Sequence, residues 1–229
     1  MSRAVVLEKI RRACAASATA GLPDELPEFP SYEDAASKFR DELEATGGVF
    51  FDARSSDELP EILSQILERT GTTEFYWESE EVFQKSAIPY RLRDPEAFSR
   101  PHLVFSYHFK GKVEFPLVLN FKPYDRATLA AVPVSVSRAP YGIAETGTIV
   151  HSVTPGKGRL LSVLPEAHVV LLSEKDLLMN SVEFLDRTQL GELGSALTLV
   201  TGPSRTADIE KTLVLGVHGP RQWYVVLTS

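Results

Sequence analysis

Three short, unbroken apolar runs in the last third of the chain constrain its fold most: HVVLL at 168–172, ALTLV at 196–200 and WYVVL at 223–227. A strand with one wet face alternates apolar and polar residues, so such runs predict strands buried on both faces. Between them, KDLLMNSVEFLDRTQLGELG carries Leu178, Val182 and Leu185 at helical spacing, and TADIEKTLVLG carries Ile209 and Leu213. The order strand, helix, strand, helix, strand implies right-handed βαβ crossovers and an α/β fold with a mainly parallel sheet.

The first half is consistent with that class. SYEDAASKFRDELEATGG is expected to form a helix capped by Ser31, with Tyr32, Ala36, Phe39 and Leu43 on one face and Gly47-Gly48 at its end. VFFDA follows as a short strand. SSDELPEILSQILERTG is the next helix, capped by serine, with Pro60 in its first turn and Gly71 beyond its end. In the middle, Leu103, Phe105, Tyr107 and Phe109 alternate with Val104, Ser106, His108 and Lys110. Beyond Lys110-Gly111, Val113, Phe115, Leu117, Leu119 and Phe121 alternate again, which predicts an antiparallel β-hairpin. Pro116 marks its second arm as an edge strand or a bulged one.

The N-terminus resembles a signal peptide only superficially. Its apolar run is broken by Glu8, Lys9, Arg11 and Arg12, so residues 1–30 are expected to be an amphipathic helical arm and a proline-rich linker. Val6, Ile10 and Cys14 share one face of that helix. Residues 31–229 then form the main α/β domain. A net charge of -7 with no Lys/Arg cluster counts against a nucleic-acid partner, and no apolar run is long enough to span a bilayer. Cys14 is the one cysteine, which excludes an internal disulfide and suits a cytoplasmic location. Four thiols usually hold an iron–sulfur cluster, so no such cofactor is expected on this chain. No metal site is expected either: His102 and His108 could share a face, but no third ligand accompanies them.

Open parallel sheets bind ligands where the carboxyl ends of strands lead into loops. Two stretches are candidates on that rule, YGIAETGTIV at 141–150 and TGPSRTADIE at 201–210. In the first, Glu145 is flanked by Gly142, Thr146, Gly147 and Thr148; its carboxylate could be a nucleophile, a general base or a structural acceptor. Arg138 and Arg159 flank this region and could supply positive charge. In the second, Thr201 and Gly202 lead to Ser204 or Thr206 as helix cap, while Asp208 and Glu210 suit a helix N-terminus. Arg205 does not suit that end, which points to a bound carboxylate or phosphate, or to an ion pair with Asp208 or Glu145. His218, in the turn GVHGP, either contributes to the site or bonds backbone. Walker A, GxGxxG, HExxH and GxSxG patterns are absent.

GIAETGTIV, RLLSVLPEAHVVLL and VTGPSRTADIEKTLVLGVHGPRQWYVVL, taken in that order, resemble the LUD domain of the lactate-utilisation protein C (LutC/YkgG) family. The resemblance implies a three-layer α/β/α fold similar to the NagB/RpiA/CoA-transferase-like group. It also implies a role in bacterial oxidation of L-lactate to pyruvate, beside two partner proteins that carry the iron–sulfur clusters. A LutC-like role leaves this chain a cluster-free component that binds a small anionic ligand, its partners, or both. The alternative is an acyl- or CoA-transferring enzyme in which Glu145 attacks a thioester.

Overall fold

The computed structural model describes residues 3–16, 29–54, 58–72, 75–77, 90–92, 103–107, 117–123, 127, 130–131, 133–153, 159–188, 196–208, 212–216 and 218–229. Helix α1 (Arg3–Ala16) is followed by α2 (Ala35–Ala45), β1 (Val49–Ala53), α3 (Leu59–Thr70), β2 (Phe75–Trp77) and β3 (Tyr90–Leu92). Strands β4 (Leu103–Tyr107), β5 (Leu117–Pro123), β6 (Val134–Arg138), β7 (Tyr141–Ile143), β8 (Thr148–Val153), β9 (Ala167–Ser173) and β10 (Leu177–Leu178) come next. The chain ends with α4 (Ser181–Arg187), β11 (Ala196–Val200), β12 (Arg205–Asp208), β13 (Thr212–Leu215) and β14 (Gln222–Thr228).

The central sheet has the order β1-β14-β9-β6-β2-β4-β5-β3. From β1 to β2 every pairing is parallel, and β4 joins β2 and β5 antiparallel. Side-chain alternation in β9 and β14 sorts the core into two layers. Val169, Leu171, Tyr224 and Val226 pack with Ile62, Leu63, Ile66 and Leu67 of α3. Val170, Leu172, Trp223, Val225 and Leu227 pack on the other side with Phe39 and Leu43 of α2. That second layer also takes in Ile149 and Ala144, because a smaller sheet, β10-β7-β8-β11, lies beside α2. Phe184 of α4 packs with Ile143, Val150 and Leu178 of the smaller sheet.

The mainly parallel α/β sheet expected from HVVLL and WYVVL is present: every residue of β9 is buried, as are Trp223–Leu227 of β14. Several details differ. ALTLV is not a doubly buried strand. It forms β11, at the edge of the smaller sheet, antiparallel to β8 and with Thr198 and Leu199 exposed. The helix expected in TADIEKTLVLG is instead a β-ribbon, Arg205–Asp208 against Thr212–Leu215. Thr206, Thr212 and Val214 are β-branched and favour the extended chain, a local preference that outweighs the spacing of Ile209 and Leu213. The helix expected to carry Leu178, Val182 and Leu185 is Ser181–Arg187, about two turns; Leu178 belongs to β10, Phe184 is the buried residue and Leu185 is 67% exposed.

Asp34, rather than Ser31, caps α2 by accepting from the N–H groups of Ala36 and Ser37, both at 3.0 Å. Glu58 occupies the cap position of α3, while Ser55 and Ser56 lie outside the described residues. Pro60 and Gly71 take the places expected of them, Gly71 with φ +66°. The two arms of the hairpin at 103–121 pair antiparallel as β4 and β5. The second arm is not at an edge, since β3 pairs along its other side; Pro116, His102 and His108 lie outside the described residues. On α1, Val6 is 42% exposed.

Candidate functional site

The AETGT stretch is a tight reversal between two strands of the smaller sheet. Ile143 pairs with Thr148, and Ala144–Thr146 form one 3-10 turn closed by Gly147 at φ +62°. A Cβ on Gly147 would lie 2.4 Å from the backbone nitrogen of Leu43. The space left by this glycine is therefore filled by backbone of the last turn of α2.

The same helix end gathers residues from the other candidate stretch. The side chain of Thr148, 4% exposed, bonds Thr146 Oγ1 and Thr201 Oγ1, each at 2.7 Å. Three hydroxyls joined by two bonds use two of their three protons, so the ladder keeps one proton to spare. Gly202, at φ +86°, lies against Thr46, where a Cβ would come within 2.6 Å of Thr46 Oγ1. Arg205 donates from Nη2 to the carbonyl of Thr46, the C-cap residue of α2. The electrostatic oddity seen in the sequence is resolved by that contact. Arg205 is not beside a helix N-terminus; it sits at a helix C-terminus, where unpaired carbonyls and the dipole both favour a cation.

The structure thus brings Thr146, Gly147, Thr148, Thr201, Gly202 and Arg205 together around the end of α2. Glu145 points elsewhere. Its N–H donates to Met179 O at 3.0 Å, and its Oε2 accepts from the N–H of Ser181 at 3.4 Å. Asn180 takes the N–H groups of Val182 and Glu183 at 3.0 Å, so together the two side chains satisfy the first turn of α4. Arg138 pairs with Asp176 at 3.4 Å, and Arg159 opens the 3-10 turn Arg159–Ser162. Thr206 and Asp208 lie in β12, opposite Val214 and Thr212.

Position relative to the sheet also departs from the sequence expectation. Thr46 and Gly47 lead into the amino end of β1, and Ser204 donates its N–H to Pro220 O, just before the amino end of β14, at 2.9 Å. The 201–206 stretch follows a strand of the smaller sheet, so the carboxyl-end rule for parallel strands does not locate it. His218 is exposed at the same amino-terminal edge, lining a cleft of about 770 Å3 with Pro133, Glu166 and Arg221.

A further polar group lies between the two sheets, and no motif announced it. His168 is fully buried, with Nε2 2.7 Å from Ser137 Oγ. Its ring stacks on His151 at 5.3 Å, and Trp223 meets it edge-on at 5.0 Å. Burial first, then the neighbouring His151, holds the His168 imidazole well below its ordinary pKa, so it is neutral. The signal for this group was period-two alternation in VSVSR, whose Ser135 and Ser137 are both buried. Among the described residues no cluster of three or more His, Cys, Asp or Glu could hold a metal ion, and no helix is long and apolar enough to cross a membrane.

Comparison with known proteins identifies the family. The model of the LUD domain matches residues 36–228. Lactate utilization protein C of Halalkalibacterium halodurans is 37% identical over 100 residues, 41% of this chain and 44% of that relative. The protein of the same name from Macrococcus caseolyticus is 28% identical over 179 residues, 76% of this chain and 69% of its own length. YkgG of Escherichia coli is 38% identical over 92 residues, 38% of this chain and 40% of that protein. The match thus spans less than half the length of the first and third of these relatives. A crystal structure of a DUF162 family protein from Deinococcus radiodurans shares the fold, with TM-score 0.51 and 18% identity over 88% of this chain and all of the other. The chain belongs to the LUD domain family.

Proposed function

We propose that this protein is a LutC-like, cluster-free component of a bacterial system that oxidises L-lactate to pyruvate. It binds a small anionic ligand and works beside partner proteins that carry the iron–sulfur centres. The observation that carries this reading is the similarity to proteins named Lactate utilization protein C, one of them matched over 76% of this chain. The single thiol of Cys14 supports the division of labour, because electron transfer through clusters needs cysteines from elsewhere. Within the chain, the hydroxyl ladder and Arg205 are the proposed anion contacts. A guanidinium has five N–H donors, and the bond to Thr46 uses one of them.

Co-purification from the native cell, followed by lactate-dependent dye reduction with and without this protein, tests the proposal. Cysteine-rich partners should co-purify, and dye reduction should fall when the protein is withheld. Unchanged dye reduction would sink it.

A second reading, acyl or CoA transfer with Glu145 as nucleophile, is favoured by the partial exposure of Glu145 in the turn. Direct CoA binding or an acyl adduct on Glu145 would establish it. The contact with Ser181 suits an acceptor instead, and the first reading is preferred on that ground.

A further inference from the structure

The turns that precede β6, β9 and β14 enclose the open cleft of about 770 Å3 at the amino-terminal edge of the central sheet. Its walls differ in chemistry. Pro133, Val163 and Leu164 supply an aliphatic side, and Val163 is 45% exposed there. His218, Arg221 and Glu166 supply a polar side.

Arg221 is held in place by several contacts. Its N–H donates to Glu166 O at 2.8 Å, as does that of Gln222 at 3.2 Å. Gly216, at φ +75°, leaves room for its stem: a Cβ there would lie 2.0 Å from Arg221 Cγ. Gly216 is fixed in turn by its N–H bond to Ser204 O at 2.9 Å. The guanidinium, by contrast, is loosely engaged. Nη1 lies 3.8 Å from Glu166 Oε1, and the two side chains are 62% and 56% exposed. An exposed pair at that distance contributes little, so a carboxylate from solution can displace Glu166 at small cost.

We propose that this cleft is a binding site for an organic carboxylate with an aliphatic tail. The carboxylate is gripped by Arg221, with His218 beside it, and the tail lies along Pro133, Val163 and Leu164. A guanidinium fork matches a carboxylate, and an aliphatic wall adds affinity in proportion to the tail area it covers. The proposal does not rest on the lactate reading, which places its anion contacts at the end of α2.

Octanoate is the probe, titrated calorimetrically into the full chain with octanol and octylamine as controls. Octanoate should bind and both controls should bind at least tenfold more weakly. Arg221→Gln should weaken octanoate about ten- to a hundredfold, the range expected for losing a charge-assisted contact. Glu166→Gln keeps the backbone carbonyl that positions Arg221 but removes the competing acid, so it should tighten octanoate severalfold. Circular dichroism checks that each variant is folded. No octanoate binding to the wild type, equal binding of octanol, or an affinity indifferent to both substitutions would overturn the proposal.

Discussion

Mild acid should destabilise this protein through His168. The imidazole is fully buried between the two sheets against Ser137, His151 and Trp223, and its folded pKa lies well below the ordinary 6.5. Above the unfolded value neither state carries the proton, and stability is at its maximum. As pH falls below that value the unfolded chain takes up a proton that the native state refuses, so stability declines with acid. The decline ceases only below the depressed folded value. With an unfolded pKa of 6.5, linkage gives a loss of about 0.8 kcal/mol at pH 6 and about 2 kcal/mol at pH 5, provided the folded group is still neutral. The Asp52 carboxylate, lowered mainly by its hydrogen bond from Arg54, loses its contribution only in stronger acid and does not confuse this window. Urea unfolding at pH 8, 6 and 5, for wild type and His168→Gln, measures the effect. The variant should be less stable at pH 8 but flatter by about 2 kcal/mol between pH 8 and 5. Parallel pH profiles for the two proteins would refute the reasoning, as would a wild type that gains stability in acid.

Other perturbations test the packing around α2. Gly147→Ala places a Cβ 2.4 Å from Leu43 N at a positive φ, and should cost about 2–4 kcal/mol from overpacking and backbone strain, read from urea midpoints. Phe39→Ala empties a fully buried position between α2 and the central sheet, and should cost about 3–5 kcal/mol in the same assay. Arg205→Lys should weaken the native anion in a calorimetric titration, because the fork is lost although the charge remains; unchanged affinity would leave Arg205 as a cap of α2 alone. Glu145→Gln keeps one acceptor for Ser181, so lactate-dependent turnover in the reconstituted system should fall about ten- to a hundredfold and not vanish. A folded Glu145→Gln protein with no turnover, and an acyl adduct on the wild type, would favour the transferase.

The parts of the fold legible in the sequence were those where one local force dominates. HVVLL and WYVVL have no polar residue after the first position or two, so only a strand covered on both sides suits them, and β9 and β14 are such strands. Gly47 and Gly71 ended their helices because each takes a positive φ that other residues resist. Legibility failed where two local forces compete. In TADIEKTLVLG the spacing of Ile209 and Leu213 favours a helix, while the flanking threonines and valine favour an extended chain; the ribbon of β12 and β13 forms. In ALTLV the run is apolar, but the strand lies at the edge of a small sheet with part of each face in water. Composition cannot distinguish that edge from a centre.

The site was obscured by a different problem, the inference of position from chain order. Thr201 to Arg205 follow a strand, and the usual rule then places them at the carboxyl end of a parallel sheet. The strand they follow belongs to the second sheet, however, and returns the chain to the amino ends of β1 and β14. That one change of address reverses the electrostatic argument for Arg205: the partner at hand is the C-terminal carbonyl of α2, which welcomes the charge that a helix N-terminus would repel. The long motifs AETGT and TGPSRT therefore have a shared structural task, since Gly147 and Gly202 both admit the end of α2 where a side chain would collide. A ligand at this place must use what that task leaves over: the spare hydroxyl proton of the threonine ladder and the remaining N–H groups of Arg205.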